Sequence, residues 1–435
     1  MFRLCGLRFI FFSVLVLCIA SLAYGQDTYT SGFYTRGAES ADFLDRDDAI
    51  LAPFYMPLPS RWALIPRLTI TSSYENNPAL TAEEARNDAV TTYIIPGLML
   101  IYGQRQRNHL YVDAGVIFPL DTDSEDISED VSYLLSLGGG YRKGKTSFGG
   151  RLGYRQMENV DTLVGARLVR RDYMASLSLE RRVSRKFSVG GSGNSIWFVF
   201  DDPRYLDYRR LYGAGQVYYR LNPRSDLFVQ GGVGQDRVEE RGAQLGDADF
   251  YDISIGARGQ QTPKTQVSGR LGYRWREGRN PEGSVIEHYI AAVEAETSPF
   301  GLSTFSAGLQ ADIRPAVSAG GFSTVDQRGT FSATRRIIWD RLRARGALFL
   351  GQVEYYGPRV TLATTESVST AVYDGRQDEY WGYSLGLDVW TIYNFSFGIS
   401  YSYFENRGAR NGAAELQELT SYDSARWGLR GSWNY

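Results

Sequence analysis

Cysteine and histidine are nearly absent from this sequence. The only two cysteines, Cys5 and Cys18, lie within residues 1–25, so a mature chain that begins after them has neither disulfides nor thiolate chemistry. The two histidines, His109 and His288, have no serine placed with them as a nucleophile, and they are interpreted as polar wall residues. The motif HExxH is missing. The GxSxG pattern at 382–386 and the P-loop pattern at 139–146 each occur once, but both lie in strand-like alternating segments or a tight turn, and no helical pattern follows either of them. We therefore predict no catalytic residues, and no enzyme activity.

Metal and cofactor sites have equally little support. The one acidic run, residues 121–126, offers oxygen ligands that suit calcium. It lacks the glycine and the terminal glutamate of an EF-hand loop, so a solvated loop is the preferred interpretation. The sequence predicts no metal site and no cofactor.

Long hydrophobic runs are confined to the start of the chain. Residues 9–22 are largely apolar, Arg3 and Arg8 precede them, and Ala23-Tyr24-Gly25 places small residues at a cleavage site. This layout predicts a secretory signal peptide over residues 1–25 rather than a membrane anchor. No later apolar run reaches the ~18 residues of a transmembrane helix. A chain without such runs still crosses a bilayer if it forms a closed β-barrel, because only closure pairs every backbone amide inside hydrocarbon.

No excess of positive charge is present. The chain has 47 basic and 49 acidic residues, and loss of Arg3 and Arg8 with the signal peptide would make it more acidic. Nucleic-acid-binding domains carry a basic patch or stripe on a basic chain. We therefore exclude nucleic acid as a partner.

Strict alternation of apolar and polar residues runs through most of the chain. Residues 395–403 alternate aromatic or aliphatic side chains with serine and glycine, and residues 266–275 alternate in the same way. In a transmembrane barrel this period of two separates lipid-facing from lumen-facing side chains. The pattern predicts an all-β fold, a transmembrane antiparallel barrel in the outer membrane of a Gram-negative cell, with the lipid bilayer as its surroundings.

The C-terminal residues resemble the terminal β-signal of bacterial outer-membrane proteins. One side of this last segment is apolar and ends in an aromatic residue, whereas the other side is polar. We predict that the apolar side is the membrane-assembly signal that the outer-membrane barrel assembly machinery binds. Its residues are Trp427, Leu429, Trp433 and Tyr435.

Spacers of alternating length separate the predicted strands. Short spacers such as 143–145, 222–225 and 262–264 hold glycine, proline and asparagine, which favour tight turns. The long polar spacers between them are typical of extracellular loops, and the short ones of periplasmic turns. Counting gives about 18 strands over residues 64–435, with 16 as the alternative, since residues 185–202 lose clean alternation and suggest a bulge. Residues 26–63 are predicted to be a periplasmic leader, or else an acidic plug inside the lumen.

The region 68–103 resembles the start of the β-barrel porin 2 family. Thr69-Ile70-Thr71-Ser72-Ser73-Tyr74-Glu75-Asn76-Asn77-Pro78 is followed by an acidic loop and by Thr91-Thr92-Tyr93-Ile94-Ile95-Pro96-Gly97-Leu98. The resemblance implies an outer-membrane barrel of a kind sometimes found beside exopolysaccharide secretion systems. Components of such a system are therefore candidate partners. The resemblance supplies no catalytic residues.

Alternation also places many arginines on the lumen side or at its rim. Rings of arginine in a narrow pore favour anions, and the guanidinium group matches carboxylate and phosphate. The predicted pore-lining residues are Arg151, Arg155, Arg270, Arg274, Arg276, Arg343, Arg345, Arg426 and Arg430. Arg341 is likewise assigned inward or to the rim. This predicts a porin-like channel for small or anionic solutes, with an acidic exopolysaccharide as one candidate. Two alternatives stay open. The arginines instead pair with lumen carboxylates such as Asp252, Glu294, Glu296, Asp312 and Asp388, or the barrel is a non-conducting structural or assembly platform.

Overall fold

The computed structural model describes the strands and the short turns of the chain. The described residues are 56–57, 62–77, 88–103, 108–122, 131–161, 166–201, 206–239, 247–278, 285–314, 323–338, 341–356, 377–391, 395–407 and 422–434. The predicted signal peptide and most of the predicted leader lie outside them, and so do the interiors of the long spacers. Within the described ranges, no helix has the length and hydropathy of a membrane span.

The structure is a single antiparallel sheet. Its strands are β1 Met56–Pro57, β2 Trp62–Glu75, β3 Ala89–Gly103, β4 His109–Thr122, β5 Ser132–Lys143, β6 Thr146–Asp161, β7 Ala166–Arg182, β8 Phe187–Phe200, β9 Asp207–Asn222, β10 Ser225–Glu239, β11 Ala248–Thr262, β12 Thr265–Gly278, β13 Val285–Thr297, β14 Ser303–Arg314, β15 Ser323–Ile338, β16 Leu342–Tyr356, β17 Gln377–Trp390, β18 Phe395–Arg407 and β19 Tyr422–Asn434. The barrel thus begins at Trp62, slightly before the predicted Leu64. The two residues of β1 pair with the start of β2.

Each long strand pairs with the next one along the chain, and the last pairs with the first. β19 runs antiparallel to β2, with Trp433 opposite Leu68 and Trp427 opposite Tyr74. The wall is therefore a closed barrel of 18 strands, β2 to β19. This confirms the predicted fold and the count of 18, and the alternative of 16 strands is wrong. Closure leaves no strand edge with unpaired amides.

The two faces of the wall differ in polarity as the alternation predicts. On β18, Phe397 and Ile399 point outward with 58% and 45% of their surface exposed, whereas inward Ser396 is buried. The same contrast holds around the barrel, because nearly all exposed large apolar side chains lie on the outer face. A closed antiparallel wall with an apolar outer face is the construction of bacterial outer-membrane barrels. The protein belongs in the cell outer membrane.

Strand β8 explains why alternation fails over residues 185–202. It pairs with β7 and β9 without a register shift, so the suspected bulge is wrong. Its inward residues Phe198 and Phe200 are apolar like its outward ones, because they pack with Tyr208 and Val238 in a cluster inside the barrel. Both faces of β8 are therefore hydrophobic at its C-terminal end.

The two ends of the barrel are distinct. At one end, which we call the turn end, short turns join the strands. Gly144, between Lys143 and Thr146, has a positive φ of 58° in one of these turns. All four lysines of the chain lie at this end, at positions 143, 145, 186 and 264. The long spacers leave from the opposite end, the loop end. Short periplasmic turns and long outer loops are the rule in such barrels, so the loop end faces the cell exterior.

Candidate functional site

All nine arginines predicted to line the pore lie on the inward side of their strands. Arg151 and Arg155 alternate with outward Phe148 and Leu152 on β6, and Arg270 flanks outward Leu271 on β12. The remaining six follow the same rule on β12, β16 and β19: Arg274, Arg276, Arg343, Arg345, Arg426 and Arg430. Alternation alone therefore located the side of the wall, but it gave no information about which side chains meet.

Arginines exceed carboxylates on the inward side of the described strands. The inward arginines are Arg67, Arg142, Arg151, Arg155, Arg170, Arg182, Arg210, Arg220, Arg258, Arg270, Arg274, Arg276, Arg314, Arg328, Arg336, Arg343, Arg345, Arg426 and Arg430. The inward carboxylates are Glu75, Asp113, Asp172, Glu180, Asp226, Asp236, Asp252, Glu294, Glu296, Asp312, Asp326, Asp378 and Asp388. The described inner wall therefore carries net positive charge, although the whole chain is slightly acidic.

A buried group of charges lies inside the β9–β14 section, in the half of the barrel toward the loop end. We call it the luminal ion-pair network, and its members are Arg210, Asp236, Asp252, Arg274, Arg276 and Asp312. Asp236 binds Arg210 Nε at 2.8 Å and Arg276 Nε at 3.2 Å. Arg274 binds Asp252 at 3.0 Å and also Asp312. Asp236 and Asp252 have no exposed side-chain surface, so these pairs are shielded from water.

One contact of the network shows how the wall bends. Arg210 on β9 lies 3.8 Å from Asp312 on β14, although four strands separate them in the wall. Neighbouring strands are about 4.8 Å apart, so the path along the wall is roughly 24 Å. Two side chains meet across that path only if the wall curves tightly and they face each other inside. The network therefore fills the interior of this section with side chains.

The aromatic ring of Phe250 contacts two of these arginines. The guanidinium carbons of Arg210 and Arg274 lie 5.0 and 4.8 Å from the centre of the Phe250 ring. Tyr212 stacks on the same ring at 5.8 Å and donates its hydroxyl hydrogen to Asp252 at 3.0 Å. Cation–π contacts of this kind orient the guanidinium groups as well as attracting them. Arg210, Asp236 and Phe250 are not among the residues predicted from the sequence, although alternation places them at inward positions of β9, β10 and β11.

A second group of charges lies near the turn end. Asp388 on β17 binds Arg345 at 2.7 Å and Arg430 at 3.0 Å, which joins β16, β17 and β19. Arg343 is buried, with its guanidinium carbon 4.6 Å above the Trp390 ring. Predicted arginines thus also contact predicted carboxylates in this group.

The pairing alternative holds for five of the predicted arginines by the ion pairs described. Arg155 binds Asp172 at 2.6 Å, in addition to the pairs of Arg274, Arg276, Arg345 and Arg430 given above. Two other arginines donate hydrogen bonds to serine hydroxyl groups. Arg151 is exposed inside the barrel and donates to Ser136 Oγ at 3.3 Å, and Arg426 donates to Ser73 Oγ at 2.9 Å.

Strand β13 contributes two exposed carboxylates and a histidine to the inner wall. Glu294 and Glu296 are exposed to the lumen rather than buried in a network. His288 Nδ1 lies 2.8 Å from the carbonyl oxygen of Tyr289. Among the described residues, no cluster of three or more histidine, cysteine or acidic side chains has the arrangement of a metal site.

The predicted assembly signal lies on the outer face as far as it is described. Trp427 and Leu429 are 52% and 61% exposed, and the Trp433 ring lies 6.4 Å from that of Phe395 on the neighbouring strand. Tyr435 lies outside the described residues. Whether these residues bind the assembly machinery stays a prediction.

Comparison with known proteins gives structural likenesses only. No family model and no curated protein match the sequence. Pseudomonas aeruginosa OccK1 (OpdK) is similar in structure with a TM-score of 0.44 at 13% identity, over 86% of this chain and 99% of that one. Pseudomonas aeruginosa OccK2 (OpdF), solved in complex with glucuronate, gives 0.43 at 12% identity, over 85% and 98%. Acinetobacter baumannii OccAB2 gives 0.44 at 12% identity, over 86% and 98%. No family is assigned to the chain.

Proposed function

We propose that this protein is an outer-membrane channel for small anionic solutes. The observation that carries the proposal is the excess of inward arginines over inward carboxylates on the described wall of a closed barrel. A basic lumen attracts anions and repels cations, because the ion's charge is poorly screened inside a narrow pore. The arginines that still have exposed surface, Arg151 first among them, are the groups that a passing anion would contact.

The luminal ion-pair network has a different part in this proposal. Its charges are buried and compensated, so it narrows one section of the lumen and holds that section rigid rather than attracting solute. Removing Arg274 would take the ion-pair partner from buried Asp252 and one of two arginines from Asp312, and would damage the fold. Arg274 is therefore a poor probe of selectivity, whereas exposed Arg151 is a suitable one.

The test is the reversal potential of the refolded protein in a planar bilayer under a salt gradient at low ionic strength. We expect an anion-selective current. For a monovalent anion passing about 8 Å from the side chain in a water-like medium, Arg151→Ser removes about 0.5 kcal/mol of attraction. The same change removes an equal repulsion of a monovalent cation, so the anion-to-cation permeability ratio should fall roughly fivefold.

Arg181→Ser is the matched control. Arg181 is an exposed arginine at the turn end of β7, but it lies on the outer face, beyond outward Leu177 and Leu179. Its loss is expected to leave the permeability ratio unchanged. Equal shifts in both variants, or a cation-selective wild-type current, would refute the proposal.

The network is also the specific observation that favours the second candidate, a non-conducting barrel that serves as a structural or assembly platform. Side chains already bridge β9 and β14 inside the wall. Folded, inserted protein that passes no current, both with and without residues 26–63, would support the platform. Current that appears only after their removal would identify them as the predicted plug.

The resemblance to the β-barrel porin 2 family adds a finer proposal. If an acidic exopolysaccharide is the solute, a purified acidic polysaccharide should block the current from one side, and a neutral polysaccharide of equal length should not. Partnership with secretion components stays a prediction on the same basis.

A further inference from the structure

On the outer face, a row of three aromatic residues on neighbouring strands is continued by two arginines on the next two strands. Tyr154, Tyr173 and Trp197 lie opposite one another on β6, β7 and β8, with ring centres 5.1 and 5.2 Å apart. The next two positions of the same row are Arg209 on β9 and Arg237 on β10. Aromatic rows of this kind lie at the depth of the lipid headgroups. The two arginines therefore project at headgroup depth, at the loop end of the barrel.

Arg209 differs from the other outward arginines near it. Arg237 binds Asp247 at 3.5 Å, and Arg171 pairs with Asp201. Arg209 is exposed and has no hydrogen bond or ion pair within the described part of the chain. A cation at the membrane surface without a protein partner is free to bind an anionic headgroup.

Two hollows in the outer wall meet at this side chain. The larger, of about 470 Å³, is bordered by Leu135, Leu152, Trp197 and Arg209, and Ala175 and Ser195 form part of its floor. Its volume lies within the ~300–1,000 Å³ of sites that hold small molecules. The smaller, of about 170 Å³, lies between Arg209 and Arg237. The lining of the larger hollow is mainly apolar.

The wall below Arg209 is unusually shallow. Gly213 and Gly215 on β9 and Gly231 on β10 face outward, and a Cβ atom added to any of them would meet no atom within 4 Å. Larger side chains such as Leu177 and Val233 stand around them. The wall beside the hollow is therefore low at these three glycines, on the turn-end side of Arg209.

We propose that Arg209 and the larger hollow bind a phosphorylated, acylated lipid of the outer leaflet, with a phosphate on the Arg209 guanidinium and an acyl chain in the hollow. Charge favours this occupant. Arginine binds phosphate through paired, charge-assisted hydrogen bonds, and the apolar hollow begins beside it. A second copy of the chain is a poorer fit, because a two-fold interface on this wall would bring the same arginines of both copies together.

The test is native mass spectrometry of the full barrel in detergent, titrated with diphosphoryl lipid A and with the same lipid after removal of its phosphates. We expect the phosphorylated form to bind more tightly to the wild type. Arg209→Ser should weaken its binding about tenfold, the equivalent of one charge-assisted contact. The control Arg181→Ser removes an exposed outward arginine at the other end of the same wall and should leave binding unchanged.

A second variant tests the hollow separately. Ser195→Phe fills the floor of the larger hollow with an apolar side chain, which the outer face of a barrel tolerates. It should weaken the binding of both forms of the lipid. Its control is Ala307→Phe, on the exposed outer face of β14. The proposal fails if Arg209→Ser binds lipid A as the wild type does, if both arginine variants lose binding equally, or if the wild type forms a dimer that Ser195→Phe abolishes.

Discussion

Neutralising a buried carboxylate of the luminal ion-pair network should lower the free energy of unfolding far more than neutralising an exposed one. Asp236 is fully buried and accepts hydrogen bonds from Arg210 Nε at 2.8 Å, from Arg276 Nε at 3.2 Å and from the Tyr208 hydroxyl at 3.0 Å. Asp236→Asn keeps the shape but removes the charge, and its amide group then faces guanidinium donors. Removing one partner of a buried ion pair costs about 3–5 kcal/mol. We expect the free energy of unfolding to fall by that amount.

The matched exposed carboxylate is Asp201. It pairs with Arg171 on the outer face, where both side chains are 39% exposed. Such pairs contribute about 0–1 kcal/mol, so Asp201→Asn should hardly change stability. The assay is equilibrium unfolding in urea with the barrel in lipid vesicles, followed by tryptophan fluorescence, with an unchanged slope against urea as the check for a common unfolded state. If Asp236→Asn loses no more stability than Asp201→Asn, the buried charges are not compensating one another as the contacts indicate.

Two further predictions concern the wall itself. Gly144→Ala should lower the free energy of unfolding by about 1 kcal/mol, because Gly144 has a positive φ that alanine adopts poorly. The control is Gly213→Ala, where a Cβ atom would enter open space. Equal losses of stability in both variants would contradict the strain argument. Leu429→Arg should lower it by about 2–4 kcal/mol, because this outward side chain lies in the middle of β19, at bilayer depth. Gln310→Arg places the same charge on the inward side of β14 and should cost much less; a comparable cost measured by the same urea unfolding would mean that the outer face is not in lipid.

Pairing across the lumen is what the sequence did not reveal. Arg210 and Asp312 are 102 positions apart in sequence and have four strands between them in the wall, so no local pattern connects them. The same limit applies to Phe250, whose ring lies between two arginines of other strands. On the outer face, the registers of β8, β9 and β10 place Arg209 and Arg237 in the aromatic row, and the sequence does not specify these registers.

The amino-acid sequence by itself determined the fold and the inward and outward faces of the strands that alternate cleanly, and it indicated about 18 strands. These depend on period-two alternation and on turn residues, both of which are local, and closure follows because a bilayer leaves no other way to pair the backbone amides. Only the tertiary structure decided which inward arginines are buried in ion pairs, which have exposed surface, and where an outward arginine meets an apolar hollow. Those properties depend on register and on wall curvature, which a single strand's sequence does not specify.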